Sequence, residues 1–272
     1  MSEVPLSSRR IAVIKIGGSV LTGTKAYRRA AILVRNRHRA SPKERLVIVV
    51  SAQEGATDAL ELAARRIARE PSATALDLLW STGELRSVAL LTLHLQTLGV
   101  RAVALNIHEA GLIVPENGRN AAPGSIHLDP THLRDVLADN PVAVVPGFFA
   151  TDLAHRVVSL GRGGSDLTAV LLAKGLNACR CELIKDVPGY FTSDPHRSSN
   201  ALPMPRLTFE QALDLADNGC DLVQRKAIEA ASQNSLPIVV RSLDERAPLT
   251  HIATEETETI WADSSSTAAA AP

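Results

Sequence analysis

Short apolar runs rich in β-branched residues alternate along this chain with segments of helical periodicity. The runs at 10–18 and 45–52 end in Gly or Ser and are typical of buried parallel strands. Because parallel strands are joined by long crossovers, the alternation predicts an α/β fold with a mainly parallel sheet. Further strands are predicted at 101–107, 141–149, 179–190 and 237–243.

Helical periodicity occupies most of the intervening sequence. Thr57 is the expected N-cap of the helix that follows it, and the pattern at 75–99 is interrupted near Ser81–Gly83. The stretch 110–130 contains Pro, Asn and Gly and predicts loops with a hairpin, whereas 263–272 reads as a disordered tail. Helices are predicted at 25–39, 57–70, 75–99, 166–176, 208–219 and 222–234.

Composition excludes several function classes. The 272 residues carry no formal net charge and only 3% aromatics, so neither a basic surface nor stacking platforms point to nucleic acid. No apolar run reaches the roughly 18 residues that a membrane span needs, and the N-terminus lacks the apolar core of a signal peptide. The three cysteines, Cys179, Cys181 and Cys220, are too few and odd in number for a disulfide framework. We therefore expect a cytoplasmic protein with no membrane partner.

The first strand ends in a lysine and two glycines. Ligands of parallel sheets bind at the carboxyl ends of the strands, where Lys15 and the sequence Gly17-Gly18-Ser19 are placed. Glycines let the backbone approach a phosphate, and the lysine and the amide groups supply positive potential. The alternative for this segment taken alone is a plain tight turn.

A second glycine-rich segment, "GRGGSD", precedes a helix. The amide groups of Gly163 and Gly164 can converge on an anion, and Ser165 can cap a helix that begins at Asp166. Arg162 offers a fork suited to a carboxylate, and Asp166 can pair with a lysine or a metal. A surface turn with a capping serine would not need this arginine and aspartate.

Glu84 lies inside an otherwise apolar helical stretch. A carboxylate there must be solvated, paired with a residue such as Arg86, or available to a ligand ammonium. The segment 185–195 combines a strand end with two turns, and such a loop could cover a nucleotide.

These segments together resemble the aspartate kinases of the amino-acid kinase superfamily, over about residues 10–260. "KIGGSV" is similar to that family's first strand and glycine turn, and "VVSAQEGATDAL" and "LLWSTGEL" are similar to its next two motifs. "VVPGFFATD", "LGRGGSDLTAV" and "KDVPGYFTSDP" follow in the family's order. The resemblance implies a three-layer αβα sandwich of two lobes that share one mainly parallel sheet. It places the kinase domain at 9–262, with an acceptor lobe at 9–157 and a nucleotide lobe at 158–262.

The resemblance implies transfer of the ATP γ-phosphoryl group to the β-carboxylate of L-aspartate. Mg²⁺ would arrive with ATP, without a direct protein ligand, and Asp166 would be the side chain near it. A homodimer is the expected assembly. The implied roles are phosphoryl transfer for Lys15 and Asp166; phosphate binding for Gly17, Gly18 and Ser19; amino-acid binding for Ser51, Thr57, Glu84, Arg162, Gly163, Gly164 and Ser165; and nucleotide contact for Lys185, Asp186, Tyr190, Thr192 and Asp194.

The chain departs from the family pattern near its C-terminal helices. Gln224-Arg225 replaces the family's His-Pro, and Asp221 stands where several relatives carry a lysine. Roughly thirty residues follow Ser242, too few for a βαββαβ regulatory domain, so we expect no inhibition by lysine or threonine. Two alternatives stay open: a kinase of the same fold that acts on another carboxylate-bearing amino acid or metabolite, and a weakly active regulatory subunit.

Overall fold

An eight-stranded sheet forms the centre of the molecule, seen in a computed structural model that describes residues 10–115, 118–119, 121–195 and 197–254. Its strand order is β10-β12-β11-β9-β1-β2-β6-β3, and only β11 and β12 pair antiparallel. These strands are β1 (Ile11–Ile16), β2 (Arg45–Val50), β3 (Ala102–Ala104), β6 (Val142–Pro146), β9 (Arg180–Ile184), β10 (Arg206–Thr208), β11 (Ile238–Arg241) and β12 (Thr250–Ala253).

Helices cover both faces of this sheet, as the alternation of strands and helices predicts. Ile14 of β1 packs in one core with residues from α1 and α3, whereas Val13 packs in the other with residues from α5, α6, α7 and α8. The αβα sandwich with a mainly parallel sheet is therefore confirmed. The helices are α1 (Thr24–Ala40), α2 (Ala56–Ile67), α3 (Ala73–Thr97), α4 (Ile107–Ala110), α5 (Thr131–Asp139), α6 (Gly164–Gly175), α7 (Phe209–Asp217) and α8 (Arg225–Ser232).

A smaller four-stranded sheet was not expected from the sequence. Its order is β5-β4-β7-β8, with strands β4 (Leu112–Val114), β5 (His127–Leu128), β7 (Phe149–Asp152) and β8 (Val157–Ser159). The antiparallel pairing of β4 with β5 confirms the hairpin predicted in 110–130. The predicted strand 141–149 is divided at Gly147 and Phe148, so that its second part joins this smaller sheet.

Three local predictions were wrong. Helix α3 continues through Ser81–Gly83, and the hydroxyls of Ser81 and Thr82 are satisfied within it by donating to the carbonyls of Leu78 and Leu79. Thr57 is not an N-cap, since α2 already begins at Ala56 and its N-cap is Gly55 in the left-handed region. Ser165 is not a cap either, because α6 begins at Gly164 and Gly163 takes the cap position with φ 74°.

The boundaries of the predicted domain are only partly covered by the structure. β1, β2, β3 and β6 of the main sheet come from the predicted acceptor lobe, and β9 to β12 come from the predicted nucleotide lobe. The division at 157/158 stays a prediction, and the limit at 262 and the tail 263–272 lie outside the described residues. In the described ranges, none of the helices has the length and apolarity that a bilayer crossing requires.

The continuity of α3 can be tested with two leucines of the same helix. Leu91 is fully buried against the sheet, whereas Leu93 is 57% exposed. We expect Leu91→Ala to lower the free energy of unfolding by about 2–5 kcal/mol, since it leaves a cavity in the core. Leu93→Ala should change it by less than about 0.5 kcal/mol. Urea unfolding measures both, and equal losses would contradict the helix orientation described here.

Candidate active site

The carboxyl ends of four central strands meet at one edge of the sheet. Lys15 of β1 pairs in register with Val49 of β2 and Leu183 of β9, and Val50 pairs with Pro146 of β6. The residues that follow these strands therefore lie side by side, as the rule for parallel sheets predicts.

A buried carboxylate at this edge binds two lysines. Asp166, in the first turn of α6, forms an ion pair with the Lys15 ammonium through Oδ1 at 2.8 Å, and its Oδ2 accepts a hydrogen bond from the Lys185 ammonium at 2.7 Å. Lys15 is 6% exposed and Asp166 is 2% exposed. Sequence reasoning placed Lys15 with Asp166, but it assigned Lys185 to the nucleotide and missed the shared carboxylate.

Burial and the ammonium groups act in opposite directions on Asp166. Burial alone would raise its pKa, but Lys15 and Lys185 together lower the pKa from its usual 3.8 to about 2. Burial lowers the pKa of Lys15 below its usual 10.5; Asp166 opposes this shift and Lys185 adds to it. Asp166 is therefore ionised throughout the physiological range, and with both lysines protonated the cluster carries one excess positive charge.

The glycine turn after β1 is fixed from two sides. The Gly17 N–H donates to the carbonyl of Ile184 at 3.1 Å, and the Ser19 hydroxyl donates to Asp186 Oδ1 at 3.0 Å. A Cβ atom at Gly18 would lie 2.4 Å from the carbonyl oxygen of Ala52, so only glycine permits this approach. Gly18 and Ser19 open a short 3₁₀ turn, whose first N–H groups have no partner within the turn.

The "GRGGSD" segment brings α6 to the same edge. Gly161 and Gly163 have φ of 79° and 74°, so both occupy the left-handed region that favours glycine. Gly164 and Ser165 are buried in the first turn of the helix. Arg162 is exposed, and it forms no ion pair with the part of the chain that the structure describes.

A cavity of about 230 Å³ joins these groups. It has room for part of a nucleotide or for a small acid, and its wall includes three residues that the sequence did not assign to binding: Phe148, Asp221 and Gln224. Gln224 packs so closely over Gly163 that a Cβ atom there would lie 2.2 Å from Gln224 Cγ. The remaining wall consists of Lys15, Ser51, Gly163, Gly164, Ser165, Asp166 and Lys185.

Glu84 is a buried acid beside this edge. Its side chain is 3% exposed, and Oε1 accepts from the Ala52 N–H at 3.3 Å. Oε2 is buried and has no hydrogen-bond partner. Burial raises the pKa of Glu84 from its usual 4.5 to about 7, against a smaller opposing effect of the Ala52 N–H. The Arg86 pairing considered from the sequence is absent from the described contacts, so Oε2 has no cationic partner among them. Glu84 is not one of the residues that line the cavity of about 230 Å³.

The predicted nucleotide residues are spread more widely. Asp186 is exposed and lines a second cavity of about 280 Å³ together with Ser19 and Lys185. Tyr190 is buried in the hydrophobic core, so its ring is not at either cavity. Thr192 and Asp194 are exposed in the loop after β9. Thr57, predicted for the amino-acid pocket, is half-buried in the first turn of α2 and does not line the cavity.

The fold and this site define an α/β protein with two lysines, a shared carboxylate and two glycine-rich turns at the carboxyl edge of its parallel sheet. The model of the amino acid kinase family matches residues 10–242, and the chain belongs to that family. An aspartokinase of Geobacillus stearothermophilus is 37% identical over 197 residues, which are 72% of this chain and 48% of the relative. An aspartokinase of Pseudomonas aeruginosa is 33% identical over 91% of this chain and 59% of the relative. The chain thus spans about half the length of the curated relatives it matches.

Solved structures show the same architecture. The aspartate kinase from Synechocystis superimposes with a TM-score of 0.75 at 33% identity, over 90% of this chain and 40% of that protein. The uridylate kinase from Archaeoglobus fulgidus superimposes with a TM-score of 0.64 at 18% identity, over 89% of this chain and 99% of that protein, and it supports the fold alone.

The raised pKa of Glu84 predicts how stability depends on pH. Between pH 4.5 and about 7 the folded chain holds a proton on Glu84 that the unfolded chain has lost. Stability should therefore fall as pH rises through this window, by at most on the order of 3 kcal/mol. Glu84→Gln removes this contribution and should be more stable than the parent chain at pH 8 but not at pH 4. Urea unfolding across pH measures the difference.

The exposed Glu54, in the turn before α2, provides the matched control. Glu54→Gln should follow the pH profile of the parent chain. Parallel profiles for Glu84→Gln and the parent chain would show that Glu84 is not the buried acid described here.

Proposed function

We propose that the chain phosphorylates the β-carboxylate of L-aspartate with ATP, forming an acyl phosphate. The observation that carries the proposal is the Asp166 carboxylate bound by Lys15 and Lys185 beside the glycine turn. Support comes from the aspartokinases that match most of this chain. It also comes from the aspartate kinase structures that share its fold.

The chemistry needs positioning and charge neutralisation rather than a base. An oxygen of the acceptor carboxylate attacks the γ-phosphorus, and the bond from that phosphorus to the β,γ-bridging oxygen breaks with its electron pair remaining on ADP. The nucleophile is already ionised, so no proton moves. Lys15 would neutralise the transferred group. Because the Gly17 N–H is bound to Ile184, the amide donors would be those of Gly18 and Ser19.

The amino acid would be held by groups of opposite charge. The Arg162 fork suits the α-carboxylate, and the unpartnered Oε2 of Glu84 suits the α-ammonium. Ser51, Gly163, Gly164 and Ser165 line the cavity where the side chain of the substrate would lie. Thr57 lies outside that wall, and its substrate contact would require movement of α2.

ATP would bring Mg²⁺ bound to its own phosphates. Both oxygens of Asp166 are engaged by lysines, which fits a metal that has no direct ligand from this residue. Among the described residues, no group of three His, Cys, Asp or Glu side chains could hold a metal. Lys185, Asp186, Thr192 and Asp194 would border the nucleotide, and Tyr190 would support its loop from the core.

The setting of this activity is part of the proposal. The three free cysteines suit the reducing cytoplasm. A homodimer is proposed from the family resemblance alone.

A hydroxamate assay with ATP, Mg²⁺ and L-aspartate traps the acyl phosphate and tests the proposed function. ADP release with other amino acids, and with no acceptor, tests the alternatives. If no hydroxamate forms with aspartate but product forms with another acid, aspartate is not the acceptor and that other acid takes its place in the proposal.

We expect Lys15→Ala and Asp166→Ala each to lower kcat by about 10²–10³, because each disturbs charge placed for the transition state. The KM for aspartate should change much less. Steady-state ADP release measures both constants. Near-normal turnover in either variant would remove that residue from the mechanism.

Arg162→Lys keeps the charge but loses the two-pronged fork. We expect the affinity for aspartate to fall by about 1–3 kcal/mol, with ATP affinity nearly unchanged. Arg225→Lys is the control, since Arg225 pairs with Asp217 and Glu229 and is not one of the residues that line the cavity. Isothermal titration with aspartate and with ATP measures the two affinities separately. Loss of ATP binding with retained aspartate binding would show that Arg162 belongs to the nucleotide site and not to the amino-acid site.

A further inference from the structure

One carboxylate holds two ammonium groups at the phosphoryl site. Lys15 reaches Asp166 from the end of β1, and Lys185 reaches it from the position directly after β9. The side chain of Lys185 is 12% exposed, and both lysines line the cavity of about 230 Å³. The neighbouring strands β1 and β9 therefore present two cations to the same small space.

This arrangement leaves a positive charge without a counter-ion. Asp166 balances one of the two ammonium groups, and no other acidic side chain pairs with Lys15 or Lys185 in the part of the chain that the structure describes. Asp221 lies on the cavity wall but is exposed, and its only described partner is the Gln224 amide at 3.5 Å. Excess charge at a nearly buried site is costly unless a ligand completes it. A purely structural ion pair would need only one lysine.

We propose that Lys185 is a second catalytic lysine, whose ammonium contacts the transferred phosphoryl group together with Lys15 while Asp166 positions both. This rests on the proposed kinase function but not on the identity of the acceptor. As the acceptor oxygen bonds to phosphorus and the bond to the β,γ-bridging oxygen breaks, charge develops on the oxygens around phosphorus. Two ammonium groups neutralise that charge better than one.

The shared carboxylate separates this role from simple nucleotide anchoring. An anchoring lysine would contact the phosphates that remain on ADP, and it could do so from any position along the nucleotide. Lys185 is held by the same carboxylate as Lys15, so both ammonium groups face the same part of a bound triphosphate. Removing Lys185 should therefore affect the γ-phosphate more than the rest of the nucleotide.

The test compares ATP with ADP in Lys185→Met, which keeps the length of the side chain and removes its charge. Isothermal titration of Mg-ATP and Mg-ADP should show an affinity for ATP that falls by about tenfold or more, with a smaller loss for ADP. In the aspartate assay kcat should fall by about 10²–10³ with little change in the KM for aspartate. Lys174→Met, on the exposed last turn of α6, is the control and should change neither.

Each other outcome overturns the proposal. Equal losses for ATP and ADP would make Lys185 a nucleotide anchor, and unchanged binding and turnover would make its ion pair structural. If circular dichroism shows that Lys185→Met is unfolded, Lys185→Gln, which replaces the ammonium with a neutral amide donor, is tested in the same way. The comparison of ATP and ADP affinities needs no acceptor. If the parent chain fails to phosphorylate aspartate, the proposed substrate is wrong, but the binding comparison still tests the role of Lys185.

Discussion

The ion pairs of Asp166 with Lys15 and Lys185 are the interaction on which the rest of the site depends. They join the ends of two neighbouring strands to the first turn of α6 across distances of 2.8 and 2.7 Å. Such contacts require that β1, β9 and α6 be placed to within a fraction of an ångström. The parallel register of β1 with β9 and the packing of α6 on the sheet meet this requirement. The site thus follows from the order of the strands.

Charge of both signs is arranged along this edge. The lysines around Asp166 leave excess positive charge beside the glycine turn, and Glu84 keeps an unpartnered carboxylate oxygen near Ala52. A phosphate and an ammonium are the ligands that would relieve these opposite charges. The raised pKa of Glu84 means that much of its charge appears only near neutral pH or when a cation arrives. Binding of an amino acid would therefore be coupled to loss of a proton from Glu84.

The sequence predicted the main sheet well because its central strands are buried on both faces and read as continuous apolar runs. The smaller sheet escaped notice because its strands have two to four residues, too few to show a period, and because β4 pairs with the distant strand β7. The motifs predicted Lys15 and Asp166 as residues of phosphoryl transfer and Glu84 as a ligand of the amino acid. They could not show that Lys185 shares Asp166 or that Gln224 covers Gly163, because each contact joins segments far apart in the chain. The burial of Tyr190 likewise depends on tertiary packing.

Glycine recurs around the site because neighbouring atoms pack directly against the glycine backbone, where a side chain would not fit. Gly18 lies against Ala52, Gly147 against Ser165 and Gly163 against Gln224, and a Cβ atom at any of the three would come within 2.7 Å of its neighbour. These contacts pack the turn after β1 against Ala52, the loop after β6 against Ser165, and the start of α6 against Gln224. The lysines and Asp166 are consequently fixed in a nearly dry place, where charges act strongly on one another. Arg162 and Asp186 are exposed to solvent, so a ligand could contact them without unpacking that centre.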